Sequence, residues 1–282
     1  RTLEELPGVR LAAVASRNPE TQTRVGPNVQ VLCKWESILD LGLDGLILAV
    51  PPTVQPKIAL SAIEVGLPLL LEKPMALNLN LAQEIANQAR ARNVYVAVNH
   101  IYLHHPAFIQ LKHTLIESGE PITAIRTYSG NHGPFRTEWN ALWDWGPHDI
   151  AMALALTGQP ATLISAQKES LPDAPPGAGR YTLEIALASR VSAHLQFGNL
   201  MPKRIRQMTV STTSGKYDFD EQNEHGLTHC ARVQPAGKIK PLNRAVEVFV
   251  QRICGKAGFS PSISGSIAVV DLLAQAMRMT EV

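Results

Sequence analysis

The sequence predicts an α/β fold in which a parallel sheet is followed by a largely antiparallel one. Over residues 9–100, short continuous apolar runs alternate with amphipathic stretches, which is typical of buried parallel strands joined by helices. Beyond residue 120, apolar and polar residues alternate one by one, as in strands that expose one face to water. These patterns favour an incomplete doubly wound, Rossmann-type parallel sheet in residues 1–100 and an α+β domain with a largely antiparallel open sheet in residues 101–282.

The first part holds five apolar runs that we interpret as strands. The stretches between them have helical periodicity; Leu81, Ile85 and Ala89, for example, lie four residues apart. The opening "RTLEELPG" predicts the last turns of a helix, and no strand precedes it, so the sheet is incomplete. The predicted strands are 9–17, 28–32, 42–50, 67–73 and 93–100, and the predicted helices are 34–42, 55–66 and 80–93.

The second part is interpreted as strands at 122–131, 180–189, 190–199 and 205–220. The second and third of these predict a hairpin that turns around residues 188–190, although no Asn-Gly pair marks the turn. A helical pattern at 148–158 interrupts the strands, and "LPDAPPGAG" at 171–179 predicts a loop. The chain closes on an amphipathic helix at 263–279, which we expect to pack back on the first domain.

Composition and charge exclude several classes of protein. The net charge is +2 and the sequence pI is about 8.5, with Lys and Arg scattered along the chain, so a nucleic-acid partner is not expected. No apolar run approaches the roughly 20 residues that cross a bilayer, and the first residues are too charged for a signal peptide. We therefore expect a soluble protein with no membrane partner.

Cysteine and histidine usage indicates neither a disulfide framework nor a metal site. Cys33, Cys230 and Cys254 are far apart and form no CxxC pair, which fits a reducing cytoplasm. The stretches "HIYLHH" (100–105) and "HGLTHC" (225–230) place histidines at helical spacing, but neither brings a matching carboxylate or a second cysteine. We expect no metal.

Polar residues stand where the predicted parallel strands end, and these ends are where open parallel sheets bind ligands. "LLLEKPMALN" places Glu72 and Lys73 at one such end, where an ammonium can reach a substrate oxygen. The alternative is a solvated ion pair that merely stops the strand. Pro74 restricts Lys73 to extended backbone angles. The candidate cofactor-binding residues at the strand ends are Ser16, Arg17, Val50, Pro51, Pro52, Glu72, Lys73 and Asn99.

Arg17 bears on the choice of nicotinamide cofactor. In dinucleotide-binding folds an acidic residue at this strand end binds the ribose hydroxyls, whereas an arginine accommodates a 2′-phosphate. No Asp or Glu stands at the end of the first predicted strand. The sequence therefore favours NADP over NAD, unless Ser16 and Arg17 are simply turn residues.

"WDWGPHDI" (143–150) is the second candidate site. A helix starting near Gly146 would place Pro147 in its first turn and make Asp144 its cap. Asp144 and His148 would then lie one turn apart, an arrangement suited to general acid or base work. The alternative is a cap and a surface histidine with no chemistry. Tryptophans at 139, 143 and 145 flank the segment and either wall a pocket or belong to the core.

Together these stretches resemble the Gfo/Idh/MocA family of NAD(P)-dependent sugar and inositol dehydrogenases. The resemblance rests on "GLILAVPPTVQPKIALSAIEVGLP" followed by "LLLEKPMALNLNLAQEIANQA", and on "NALWDWGPHDIAMAL", with the segments in the same order over nearly the whole chain. "VNHIYLHHPAF" and "NALWDWGPHD" look most like a branch associated with nucleotide-sugar pathways.

The resemblance implies the roles of the site residues. Lys73 would be the catalytic lysine in a cis Lys73-Pro74 pair, Asp144 its partner carboxylate and His148 the general acid or base. His148 would remove a hydroxyl proton while the carbon passes a hydride to the nicotinamide and Lys73 stabilises the charge on oxygen. The substrate would be a sugar or sugar derivative, and relatives associate as dimers or tetramers through the second sheet. The residues assigned to substrate are His100, Tyr102, Asn140 and Trp143.

The sequence departs from the family in its first segment. No G-x-G-x-x-G turn occurs, and the "GAG" at 177–179 lies in the second domain. Such glycines let backbone amides approach a pyrophosphate, so we expect these residues alone to bind dinucleotide poorly and a segment before Arg1 to supply the turn. Gln55 stands where many relatives have histidine. The alternative function is a non-catalytic sensor or scaffold on the same fold.

Overall fold

A computed structural model describes residues 2–158, 160–223, 226–230, 232–234, 237, 239–256 and 262–281. The five predicted parallel strands are confirmed, and they form two sheets. One pairs β1 with β2 and the other has the order β3-β4-β5. The strands are β1 (Ala13–Ala15), β2 (Gln30–Leu32), β3 (Leu46–Leu48), β4 (Leu69–Leu71) and β5 (Val96–Val98), and the helices are α1 (Thr21–Val25), α2 (Gln55–Glu64) and α3 (Leu79–Ala91).

The apolar runs form strands because they are buried on both faces. Every residue of β4 is at most 3% exposed, as a central parallel strand requires. On α3, Ile85 and Ala89 are buried, and the side chain of Asn78 caps the helix by accepting from the Leu81 N–H at 2.9 Å. The predicted 3.6-residue periodicity therefore positions this helix correctly against the sheet.

Two predicted helices in this part are wrong. Residues 34–42 contain only a 3₁₀ turn, Trp35–Ile38, whose N-cap residue Lys34 supplies no side-chain hydrogen bond to start a longer helix. Residues 2–8 form turns, with the Leu6 N–H bonded to the Leu3 carbonyl at 3.3 Å. Pro7 has no N–H with which to extend a helix.

The second part is a mixed, mostly antiparallel sheet of eight strands in the described residues, with the order β13-β12-β11-β10-β6-β9-β8-β7. Only the β6–β9 pair is parallel. The predicted largely antiparallel sheet is confirmed. The strands are β6 (Ile122–His132), β7 (Thr162–Glu169), β8 (Arg180–Ala186), β9 (Ser192–Gly198), β10 (Leu200–Thr212), β11 (Lys216–Asp220), β12 (Leu227–His229) and β13 (Arg232–Gln234).

The predicted hairpin is confirmed, since β8 and β9 pair in antiparallel register around a turn at Ala188–Arg190. Ser189 and Arg190 take positive φ values of 58° and 63°, so two non-glycine residues supply the tight turn. The single strand predicted at 205–220 is wrong. It is a hairpin of β10 and β11 around residues 213–215, where Gly215 and its neighbours turn the chain.

Four further α-helices lie in the described part of the chain: α4 (Pro106–Ser118), α5 (Ala141–Thr157), α6 (Pro241–Ile253) and α7 (Ile263–Thr280). The predicted start of α5 near Gly146 is wrong. Asn140 is its N-cap and accepts from the Trp143 N–H at 3.4 Å, so Asp144 lies in the first turn and Pro147 inside the helix. The earlier start is possible because the Asn140 cap satisfies one of the free N–H groups that every helix begins with.

The larger core cluster runs from the parallel strands and their helices to the interface where α5 and α7 pack on the large sheet. Gly146 makes this packing possible, because a Cβ there would lie 2.7 Å from Leu273 of α7 and 2.8 Å from Phe197 of β9. The predicted C-terminal helix is confirmed as α7, which also contacts α3 and β5. Within the described part, no helix combines the length and the apolarity needed to cross a membrane.

Candidate active site

Lys73 and Asp144 meet although they are far apart in the sequence. Lys73 lies two residues after β4, and its Nζ is 2.8 Å from Asp144 Oδ1 and 2.6 Å from the Asp144 carbonyl oxygen. Arg136 Nε lies 3.4 Å from the other carboxylate oxygen. The Lys73-Pro74 bond is cis, as the resemblance implies. Both side chains of the ion pair are less than a fifth exposed, at 18% and 19%, so the pair is largely shielded from solvent.

Buried amides hold the chain around Lys73. Gln55, 1% exposed, donates through Nε2 to the carbonyls of Glu72 at 2.8 Å and Pro74 at 3.0 Å. Asn99, at the end of β5, donates to Glu72 Oε1 at 2.8 Å. A glutamine is thus well suited to this position, because its amide can donate to two carbonyls at once. Glu72 supports the site through Asn99 and forms no ion pair with Lys73 among the described contacts.

His148 is buried one helical turn after Asp144, at 9% exposure. Its Nδ1 has no hydrogen-bond partner in the described structure, and the carboxylate of Asp144 binds Lys73 and Arg136 instead of the imidazole. Burial lowers the pKa of His148 well below its usual value, and the nearby charges of Lys73 and Arg206 lower it further. The imidazole is therefore neutral at physiological pH and able to accept a proton.

One cavity of about 290 Å³ brings these groups together. Lys73, Asp144 and His148 line it with Tyr102, whose ring meets the His148 ring edge-on at 4.9 Å between centroids. A small molecule bound in this cavity would lie among these side chains. The remaining lining residues are Asn131, Pro134, Trp145, Arg204, Ile205, Arg206 and Glu221.

Arg206 was not identified from the sequence. It is 2% exposed, donates to Asp149 Oδ2 at 2.9 Å and stacks over the Tyr102 ring at 4.2 Å. Ser129 donates to the same carboxylate oxygen of Asp149 at 2.7 Å. The alternation of side chains along β10 could have shown that Arg206 is buried, because it faces the same side of the strand as buried Met208. An arginine on an inward face needs a buried partner, and Asp149 provides it.

Two further groups shape the cavity from the large sheet. Tyr102 donates through its hydroxyl to Glu221 Oε1 at 3.1 Å, and Arg204 binds the same oxygen at 2.8 Å. Burial raises the pKa of Tyr102 and the neighbouring Glu221 carboxylate adds to the shift, although Arg206 opposes it. Tyr102 therefore stays a hydroxyl donor. Arg204 and Glu221 were missed because nothing local distinguishes them from surface charges.

The structure places three residues assigned to substrate outside this cavity lining. His100 is buried with its Nε2 3.4 Å from Ser266 Oγ, and burial together with Lys73 and His104 lowers its pKa to about 3. Asn140 caps α5 and Trp143 is a core residue at 5% exposure. Of the flanking tryptophans, Trp145 lines the cavity.

The candidate cofactor residues lie at the ends of the parallel strands. Ser16 follows β1 and accepts from Thr21 Oγ1 at 2.8 Å, while Arg17 is exposed beside it. Val50, Pro51 and Pro52 follow β3, and the Pro51 carbonyl accepts from the N–H groups of the N-cap residue Val54 and of Gln55, the first residue of α2. These residues reach the edge of the sheet where a dinucleotide would lie.

The buried acceptors fit the nicotinamide end of such a cofactor. Asn99 Oδ1 and Gln55 Oε1 are buried without a hydrogen-bond partner in the described structure. A carboxamide N–H would satisfy an acceptor of this kind beside Lys73. Of the two histidine stretches, His225 lies outside the described residues, and the described residues hold no group of three potential metal ligands.

Comparison with known proteins decides the family. The Gfo/Idh/MocA family model, described as an oxidoreductase family with an NAD-binding Rossmann fold, matches residues 1–100. The crystal structure of a protein from Magnetospirillum magnetotacticum, classed as an oxidoreductase, is 31% identical with a TM-score of 0.88, covering 97% of this chain and 93% of that one. The chain belongs to the Gfo/Idh/MocA family.

Two curated proteins that this chain is similar to are named as dehydrogenases. The scyllo-inositol 2-dehydrogenase (NADP⁺) of Bacillus subtilis is 24% identical over 60% of this chain and 51% of its own length. The UDP-N-acetylglucosamine 3-dehydrogenase of Acidithiobacillus ferrooxidans is 26% identical over 53% of this chain and 47% of its own. The chain thus spans about half the length of the curated relatives it matches.

Proposed function

We propose that this chain carries the catalytic site of an NAD(P)-dependent oxidoreductase. It moves a hydride between the nicotinamide and a secondary alcohol or ketone of a sugar or sugar derivative. The observation that supports this most strongly is that Lys73 and His148, whose imidazole is neutral, both line the cavity of about 290 Å³. An ion pair that merely stopped a strand would have no reason to face a histidine across a cavity.

The chemistry follows from these two groups. Bound NAD(P) supplies the hydride acceptor for alcohol oxidation, or the hydride donor for ketone reduction. In the oxidative direction His148 takes the hydroxyl proton, which its lowered pKa leaves it free to accept. Lys73 donates a hydrogen bond to the same oxygen and stabilises its developing negative charge, while Asp144 holds the ammonium in place. Reduction reverses each step.

The cavity lining favours a polyhydroxylated substrate. Arg204, Asn131 and Glu221 line it together with the catalytic groups, so hydroxyl groups can both donate and accept hydrogen bonds around the ring. The two curated relatives act, by name, on an inositol and on a UDP-sugar. Nucleotide sugars and inositols are therefore the first substrates to test.

We propose NADP as the preferred cofactor, because Arg17 follows β1 and no acidic residue stands at that strand end.

We also propose a dimer or tetramer formed through the large sheet. Its β9 and β10 strands present polar residues such as Gln196, Gln207 and Thr209 on the face opposite the buried core. Light scattering on the full-length protein tests this second point, and a monomer at micromolar concentration would contradict it.

The test of function uses the full-length protein that contains these residues. NADPH and NADH are titrated by fluorescence, and turnover is then followed with a panel of UDP-sugars, inositols and free sugars. The proposal expects nicotinamide binding, tighter for NADPH, and turnover with at least one member of the panel. Cofactor binding without any turnover would favour a sensor, and the absence of both would favour a scaffold. Either result would contradict the proposal.

A further inference from the structure

A second cavity lies on the other side of the turn that carries Tyr102. The 3₁₀ turn Ile101–His104 sends Tyr102 into the candidate active site, while Leu103 and His104 line a separate cavity of about 390 Å³. This second cavity, here called the α4–α6 cavity, is bounded by that turn, by α4 and by α6. Among the described residues, none lines both cavities.

The wall of the α4–α6 cavity is apolar. Phe108 and Ile109 of α4 and Val248 of α6 line it. Ile116, further along α4, also lines the cavity and is 68% exposed. A cavity of this volume lies within the roughly 300–1,000 Å³ typical of small-ligand pockets. The wall is therefore suited to an alkyl chain or another apolar group of modest size.

Cationic side chains line the same cavity. Lys112 comes from α4, and Arg244 and Arg252 come from α6. Burial lowers the pKa of Lys112, because its ammonium has lost part of its hydration. The described lining residues include no aspartate or glutamate, although Glu247 binds Arg244 at 2.9 Å from just outside it. A negatively charged ligand group would therefore meet a positive surface.

His104 places a polar ring in the wall of the cavity. It is 5% exposed, lines the cavity, and its ring forms no hydrogen bond with any described residue. Burial, followed by the charge of Arg244, lowers its pKa to about 4. The ring is thus neutral at physiological pH and presents one N–H donor. A ligand oxygen in the cavity could accept a hydrogen bond from this N–H.

We propose that the α4–α6 cavity binds a small amphipathic anion, namely a carboxylate attached to an apolar chain. Arg244 and Arg252 supply the positive charge that binds the carboxylate, the His104 ring lies in the same lining, and the chain packs against Phe108, Ile109 and Val248. The site is distinct from the candidate active site, so it takes a ligand other than the sugar or the nicotinamide cofactor.

Isothermal titration calorimetry of the full-length protein with decanoate tests this site. Decanol serves as the uncharged probe and inorganic phosphate as the charge-only probe. Arg252→Gln should weaken decanoate binding about 10-fold through loss of one charged contact. Arg278→Gln is the matched control, because Arg278 is also an exposed arginine in the last turn of a helix. It should leave decanoate binding unchanged.

A second variant tests the apolar wall. Ile109→Trp fills the cavity while keeping every charge, and it should abolish decanoate binding in protein that retains its far-UV circular dichroism and nicotinamide affinity. The proposal is overturned if decanoate does not bind, or if Arg252→Gln and Arg278→Gln bind it equally. It is also overturned if Ile109→Trp binds decanoate normally, or if decanol or phosphate binds as tightly as decanoate.

Discussion

Burial of His100 and His104 should make the protein unstable in mild acid. Their pKa values fall from 6.5 to about 3 and about 4, respectively, and burial is the main cause of both shifts. Because both folded-state pKa values are lowered, the unfolded chain binds protons first as the pH falls. The free energy of unfolding therefore decreases below about pH 6.5 and continues to decrease until the folded-state pKa is reached.

The size of the effect follows from the shifts. Between about pH 7.5 and about pH 5, each of these two histidines should remove about 2 kcal/mol from the free energy of unfolding. His105 and His148 have lowered pKa values as well and act in the same direction. Urea unfolding followed by tryptophan fluorescence at the two pH values measures the loss.

One variant measures how much the His100 ring contributes to the pH-dependent loss of stability. His100→Gln should reduce the pH-dependent loss of stability by about 2 kcal/mol, because the neutral amide has no proton to bind. His113, which is exposed on α4, provides the control His113→Gln. The reasoning is refuted if the two variants lose the same stability between the two pH values, whatever their stability at neutral pH.

Three other predictions follow from the site. Arg206→Met should cost about 3–5 kcal/mol in urea unfolding by leaving Asp149 charged and buried, and adding Asp149→Asn should recover part of it; additive losses would contradict the pairing. The acid limb of kcat/KM should lie below pH 6.5, because the pKa of His148 is lowered; a limb at or above that value would argue against His148 as the base. Gln55→Leu should lower the free energy of unfolding by about 1–3 kcal/mol, because it leaves the Glu72 and Pro74 carbonyls without a hydrogen-bond donor. An unchanged urea midpoint would show that water replaces the amide.

The parallel strands could be predicted because burial on both faces leaves a continuous apolar run, as in β4. The contact between Lys73 and Asp144 could not be derived from spacing, since it joins β4 to a helix 71 residues later, and only the family resemblance suggested it. Local patterns also misplaced the start of α5. Pro147 reads as a helix start, whereas the Asn140 cap begins the helix earlier and keeps Asp144 inside its first turn.

The buried charges show what sequence patterns could not predict about the site. Arg206 and Asp149 could each have been noticed as a charge on an apolar face, but their pairing depends on how α5 packs on the large sheet, which no local signal encodes. The sequence does not distinguish Arg204 and Glu221 from other surface charges, because partly exposed charges are common on any sheet. Sequence reasoning therefore found the groups at the strand end and missed the wall of the cavity that faces them.

The central claim is that Lys73 acts on a substrate oxygen across the cavity from His148. Single-turnover oxidation of NADPH by the full-length protein, with a substrate identified from the panel, tests it most directly. Lys73→Met should slow hydride transfer about 100-fold or more while NADPH affinity changes little. Lys57→Met, at an exposed lysine of α2, should leave the rate unchanged. Hydride transfer at the wild-type rate in Lys73→Met would contradict the account.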